Sequence, residues 1–245
     1  MNLDKLNMEE LASYVCTQLE KKDIKVILSG GSCMELYTNA LYSSYDIDFV
    51  MKQYHSTKQI EEAMIEIGFT IEGKYYVLEN SDFYIEVLSP PVAVGDQFLN
   101  EFASRNTKVG TLKLLTVTDC IKDRLCGCYL HNDNHCFEHA LAVAHKNDID
   151  IDDLKSWAKN EDKSIQDGLN YFIESINILN NFNDKDIKVY LQKFCKINYI
   201  DISNDIDKQD LIDELSITYL GKELLIKYSN QQLFELIQNG NKNSK

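Results

Sequence analysis

Apolar residues recur at helical spacing near the start of the chain. Leu6, Met8, Leu11, Ala12, Val15 and Leu19 fall on one face and predict an amphipathic helix over about 3–22. The period then changes. Ile24-Lys25-Val26-Ile27-Leu28 is short, β-branched and mostly apolar, and reads as a buried strand. It stops at Ser29-Gly30-Gly31-Ser32, where a helix can begin with Ser29 or Ser32 as its cap. Asp46-Ile47-Asp48-Phe49-Val50 alternates and reads as a second strand. A helix is expected over about 57–67, then three strands at 69–71, 75–78 and 83–88, punctuated by Gly73 and Asn80-Ser81. One more strand near 111–115 precedes a run of helices from Thr118 onward, a half of the chain that lacks proline. Residues 146–153 and 180–186 are acidic, Asn-rich connections, and the polar tail from 239 to 245 reads as frayed. The fold class expected is α+β: a small mixed β-sheet core with flanking helices over 1–117, and a helical C-terminal region over 118–245.

Composition narrows the function classes. A hydrophobic fraction of 44% in 245 residues is enough for a sizeable core. No apolar run approaches the roughly 20 residues that span a bilayer, and the N-terminus lacks the basic start and apolar middle of a secretion signal. No membrane partner and a cytoplasmic location are therefore expected. The seven cysteines are an odd number in a long chain and read as free thiols. A net charge of −14 repels polyanions, so nonspecific nucleic-acid binding is disfavoured. A nucleotide remains compatible, because bound metal neutralises its phosphates.

The candidate chemistry lies in the first half. Asp46 and Asp48 are two apart on a predicted strand, so both carboxylates lie on one face while Ile47 and Phe49 face the other way. Adjacent anions on an apolar strand call for a cation between them, and magnesium takes oxygen ligands of this kind. Glu86, inside Tyr84-Ile85-Glu86-Val87-Leu88, is the natural third acid; Asp82 has the same parity and is its rival. Gly30-Gly31-Ser32 opens a strand-turn-helix in which the backbone can approach phosphates closely, with the Ser32 hydroxyl able to bond one. Alone that turn is a weak signal. Followed by Asp-x-Asp on a strand and then by an isolated strand acid, it is more specific.

Gly31-Ser32, then Ser44-Tyr45-Asp46-Ile47-Asp48-Phe49, then Glu86 resembles the polymerase-β-type nucleotidyltransferase superfamily, nearest to the abortive-infection, toxin-like bacterial members. The resemblance covers about residues 20–130. It implies that Asp46, Asp48 and Glu86 ligate two magnesium ions, and that Gly30, Gly31, Ser32 and Ser44 hold a nucleoside triphosphate. An acceptor hydroxyl, on a protein, a small molecule or a tRNA end, would attack the α-phosphorus and release pyrophosphate. It also implies a cation on the helix after the sheet. Lys122 and Arg124 flank that helix's apolar stripe on opposite sides, and Lys122 is the one favoured. A toxin–antitoxin role rests on the resemblance alone.

Two other function classes compete. One is a catalytically silent nucleotide-binding or partner-binding module of the same fold. The other is a zinc-stabilised helical interaction protein, suggested by Cys126, Cys128, His131, His135, Cys136 and His139 within a short stretch. Against zinc, the stretch has no Cys-x-x-Cys knuckle, and both His135 and His139 are expected to point away from their helix's buried face. Trp157, with Leu154 and Ala158, is expected to pack in a helix interface. The acidic runs at 148–153 and 201–213 read as solvated helix starts and loops.

Overall fold

The structure is a computed structural model and describes residues 2–201 and 205–238. The chain is mixed α+β and forms two compact units, Met1–Gln166 and Asp167–Lys245. The predicted division after residue 117 falls inside the first unit, because the three helices after the sheet pack back into it.

The first unit opens with a 3-10 turn, Leu3–Lys5, and helix α1, Met8–Glu20. Asn7 starts α1 through a capping box: Glu10 N–H donates to the Asn7 side chain at 2.9 Å and Asn7 N–H to the Glu10 carboxylate at 3.3 Å. That cap sets the helix start later than the periodicity alone suggests. Strand β1, Val26–Leu28, leads straight into α2, Gly30–Thr38, which ends at Asn39 in the left-handed region. Then follow β2, Asp46–Met51, and α3, Thr57–Glu66, the latter begun by a Ser56–Gln59 capping box. Strands β3, Thr70–Glu72, β4, Tyr75–Val77, and β5, Tyr84–Leu88, lie close to their predicted positions. A small hairpin of β6, Ala93–Val94, and β7, Gln97–Phe98, precedes β8, Ala103–Thr107, and β9, Gly110–Leu114. β6, β7 and β8 have no counterpart in the sequence reading. Two are two residues long, and β8 (Ala-Ser-Arg-Asn-Thr) is a polar edge strand without apolar alternation. Helices α4, Val117–His131, α5, Asn134–Lys146, and α6, Ile151–Ala158, complete the unit, together with the start of α7, Lys163–Asn181.

The seven-stranded sheet runs β3-β4-β5-β2-β1-β9-β8. β2 is central, antiparallel to β1 and parallel to β5. One face is dry: Ile47, Phe49, Ile85, Leu112 and Leu114 are fully buried, as are Leu11, Val15 and Leu19 of α1, which packs across β9, β1 and β8. The alternate residues of β2 and β5 face the other way and keep partial contact with solvent. α2, α4 and α5 pack on one another beside β2.

The second unit contains α7 beyond Gln166, α8, Asp184–Ile197, α9, Asp205–Ile217, α10, Tyr219–Lys227, and α11, Asn230–Gln238. α9 packs on α10 and α8 on α11, with Phe172, Ile187, Leu191, Leu211, Leu215, Leu224 and Leu233 buried. Among the described residues no helix is long and apolar enough to cross a membrane. The tail at 239–245 lies outside the described residues, as does the part of the acidic run at 202–204.

Candidate active site

The parallel pairing of β2 with β5 sets Asp46 opposite Tyr84 and Asp48 opposite Glu86. Paired residues of neighbouring strands share a sheet face, so Asp46, Asp48 and Glu86 stand together on the half-open face, backed by the buried Ile47, Phe49 and Ile85. Asp82, the rival third acid, lies in a bend before β5 and is exposed.

The β1–α2 turn is stitched to the same strand. Ser29 N–H donates to the Asp48 carbonyl at 2.9 Å, continuing the β1–β2 ladder one step past β1. The Ser32 and Ser44 hydroxyls both donate to the Asp46 carbonyl, at 2.6 and 3.0 Å. Gly30 is thereby held at φ +67° directly against the Asp48 carboxylate; a Cβ built there would stand 2.5 Å from Asp48 Oδ2. At Gly31 an added Cβ would meet the Ser44 hydroxyl at 3.0 Å. Ser29 occupies the N-cap position of α2 without a side-chain cap bond, so the first-turn N–H groups of that helix keep their donor character beside the acids. Ser32 is fully buried, and its hydroxyl already serves β2. Its place is beneath the turn, anchoring the strand, rather than open to a phosphate as the sequence suggested.

The electrostatics follow from this crowding. Burial, reinforced by the Asp46 and Glu86 charges, pushes the Asp48 carboxyl up to about 6. Burial and the Glu86 charge also raise Asp46. Asp46 Oδ1 is buried without a hydrogen-bond partner, and a buried carboxylate oxygen in that state is costly. Lys74, from the turn between β3 and β4, places Nζ 2.6 Å from Glu86 Oε2 and 4.9 Å from the Tyr75 ring centre. Its hydrogen bond to Glu86 pushes its ammonium up to about 12. With Glu86 turned to Lys74, no group of three or more Asp, Glu, His or Cys side chains among the described residues is closed around one point as a metal cage. The ion pair is exposed on its lysine side and is easily exchanged for another cation.

Lys122, the helix cation expected to reach a phosphate, does something else. It is 1% exposed, and its Nζ bonds Asp153 Oδ2 at 2.8 Å, Gln97 Oε1 at 3.0 Å and Asp119 Oδ1 at 3.1 Å. It ties α4 to α6 and to the β6–β7 hairpin, and a desolvated ammonium with three partners is not free to bind a ligand. On the other flank of α4, Arg124 and Asp123 act on Asp48 in opposite senses, the guanidinium lowering its carboxyl and the Asp123 charge raising it. Asp123 Oδ2 holds the guanidinium, with Nη2 at 2.6 Å and Nε at 3.1 Å. The helical stripe placed both cations equally well; the closure of α6 and the hairpin over one flank separates them.

The Cys/His stretch is dispersed. Cys136 Sγ lies 3.6 Å from Arg124 Nη1 and 3.3 Å from Asp133 Oδ2, and burial raises its thiol to about 11. Cys126 is buried and raised to about 12, while His135 is exposed. His139 departs from its expected outward direction. Its ring packs edge-on to Tyr42 at 4.6 Å, its Nδ1 is buried without a partner, and burial lowers it to about 4. Trp157 is buried and its Nε1 donates to the Val94 carbonyl at 3.4 Å, a packing role. Compared with known proteins, this chain matches no family model, no curated protein and no solved structure.

Proposed function

We propose that this chain is a magnesium-dependent nucleotidyltransferase, moving a nucleoside monophosphate group from a nucleoside triphosphate to an acceptor hydroxyl. The observation that carries the reading is the set of three carboxylates on one sheet face, with Asp48 against the Gly30 turn. The donor set fits a hard divalent cation. It is all oxygen, and it includes the buried, partnerless Asp46 Oδ1, which a cation would satisfy. Asp46, Asp48 and Glu86 would hold the metal, which when bound neutralises the phosphates and polarises the α-phosphorus.

The remaining work falls to the chain. Gly30 and Gly31 let the Asp48 carboxylate and the Ser44 hydroxyl close on the turn, and the first-turn N–H groups of α2 would offer hydrogen bonds to a triphosphate. Arg124, ion-paired to Asp123, would exchange that partner to meet a phosphate. Ser29, Ser32 and Ser44 hold β2 and the turn in register, so that the acids keep their places. The acceptor oxygen attacks the α-phosphorus, the α–β P–O bond breaks, pyrophosphate leaves and the hydroxyl proton passes to a neighbouring carboxylate.

The test is incubation with α-labelled nucleoside triphosphates and magnesium, following pyrophosphate and label transfer. The expected result is release that disappears in Asp48→Ala. Binding without release supports the silent module, favoured by the Lys74–Glu86 ion pair where a metal would sit. Neither binding nor release overturns both readings.

A further inference from the structure

Asp46, Asp48 and Val50 alternate on the half-open face of β2, and Lys52, just past the strand's end, continues that alternation. Lys52 N–H donates to the Lys25 carbonyl at 2.9 Å, so these two lysines stand side by side where β1 begins and β2 ends. β1 and β9 are paired at Leu28–Leu114, and among the described residues no further Cα pair joins them. Toward the start of both strands a cavity of about 280 Å³ is lined by Lys25, Lys52 and Lys113, with Phe102, Cys16 and Glu20.

Two of the ammoniums are positioned by neutral neighbours. Lys52 Nζ lies 4.8 Å from the centre of the Phe102 ring, and Lys113 Nζ donates to Ser104 Oγ at 3.3 Å. Among the described residues none of the three lysines is within ion-pair distance of a carboxylate. Glu20 is the sole acid on the lining and offsets one charge of three. In a chain of net charge −14, three lysines lining one cleft with one acid leave it a net positive lining suited to an anion.

The surroundings limit that anion's size. Asp48 lies four residues from Lys52 along β2, roughly 13 Å at about 3.3 Å per residue. That is little more than a Debye length of about 8–10 Å in physiological salt, so a long polyanion leaving the cleft along this face meets three carboxylates. The volume is also at the small end of ligand pockets, which run from about 300 to 1,000 Å³.

We propose that this cleft binds a compact phosphorylated small molecule, its phosphate groups on Lys25, Lys52 and Lys113 and its remaining part against Phe102. The site is separate from the carboxylate site and does not depend on the transfer reaction.

The probe is ADP, titrated calorimetrically into the full chain in EDTA, where the metal-free carboxylates repel phosphate. One saturable site is expected, weakened by added salt. Lys52→Gln should lower affinity about tenfold, the share of one charge-assisted hydrogen bond. The triple variant Lys25→Gln/Lys52→Gln/Lys113→Gln should abolish binding, and Lys58→Gln, at an exposed lysine facing Glu62, should leave it unchanged. A second readout needs no variant: ADP should protect Lys25, Lys52 and Lys113 of the wild type from acetylation, read by mass spectrometry, and leave Lys58 reactive. ADP binding that survives in the triple variant, or a wild type with neither binding nor protection, overturns the proposal. A single-stranded oligonucleotide that binds more tightly than ADP in the same buffer overturns the small-molecule assignment.

Discussion

Replacing Asp48 by Asn should make the metal-free protein more stable, and the gain should depend on pH. Asp48 is pressed on Gly30, faces Glu86 across the β2–β5 ladder and shares its face with Asp46. Its carboxyl rises from an ordinary 3.8 to about 6 on folding. Below about pH 3.8 both folded and unfolded chains hold the proton, and the group contributes nothing. Between 3.8 and 6 the folded chain holds it more tightly, so stability falls as pH rises through that window and levels off above it. At about 1.36 kcal/mol per pH unit the full loss is about 3 kcal/mol, and partial solvent access trims it to about 2–3 kcal/mol. Asn cannot ionise and escapes this loss. Its amide can also donate to the partnerless Asp46 Oδ1, which adds an offset at every pH. Urea unfolding in EDTA, followed by fluorescence of Trp157, is the assay. That residue is the chain's single tryptophan, buried in α6, and it reports the first unit. The stability gap between Asp48→Asn and wild type should widen by about 2 kcal/mol from pH 4 to pH 7. A gap that stays flat over that range refutes the crowding argument.

Gly30→Ala should cost about 1–2 kcal/mol for the left-handed backbone alone. Its Cβ should also displace the Asp48 carboxylate, so pyrophosphate release should fall at least about tenfold, measured on folded protein. Lys122→Ala should cost about 3–5 kcal/mol by the same fluorescence assay, because it strands the buried Asp119 and unties α6; an unchanged stability would return Lys122 to the list of ligand contacts. Lys74→Ala should leave stability nearly unchanged while tightening manganese binding several-fold, since it frees Glu86 and removes a competing cation. Manganese titration by paramagnetic relaxation reads this directly, and equal affinities would show that Lys74 does not compete.

Local pattern carried the acids and not the cations. Asp46 and Asp48 are legible because a strand's period of two is a local property. Glu86 is legible because an acid between Ile85 and Val87 in an apolar strand calls for a partner. The Gly30 turn follows from the end of β1. Strand order, by contrast, is global: the meeting of Lys25, Lys52 and Lys113 depends on β2, β1 and β9 being neighbours in that sequence, which no window of residues reports. The choice between Lys122 and Arg124 depends on Gln97 and Asp153, which come from a two-residue strand and a separate helix. Ser32 reads as a ligand contact because its place beside the glycines is visible in sequence, whereas its burial under β2 is not.

The energetic position of Asp48 separates a structural role from a functional one. A carboxylate that serves the fold is held by donors, and removing its charge costs stability. Glu161 shows the donor geometry of a structural acid: both its oxygens accept the Asp96 N–H at 3.1 Å and close the β6–β7 hairpin. Asp48 has the opposite signature. Its neighbours are two further acids, its backbone carbonyl rather than its side chain makes the anchoring bonds, and its ionised form works against folding. Such a group stabilises nothing by itself; under the proposed function, a bound cation would turn the repulsion among Asp46, Asp48 and Glu86 into binding free energy. Magnesium should therefore raise the wild-type midpoint at pH 8 and leave that of Asp48→Asn almost unmoved, whereas a purely structural Asp48 requires Asp48→Asn to be the less stable protein under every condition.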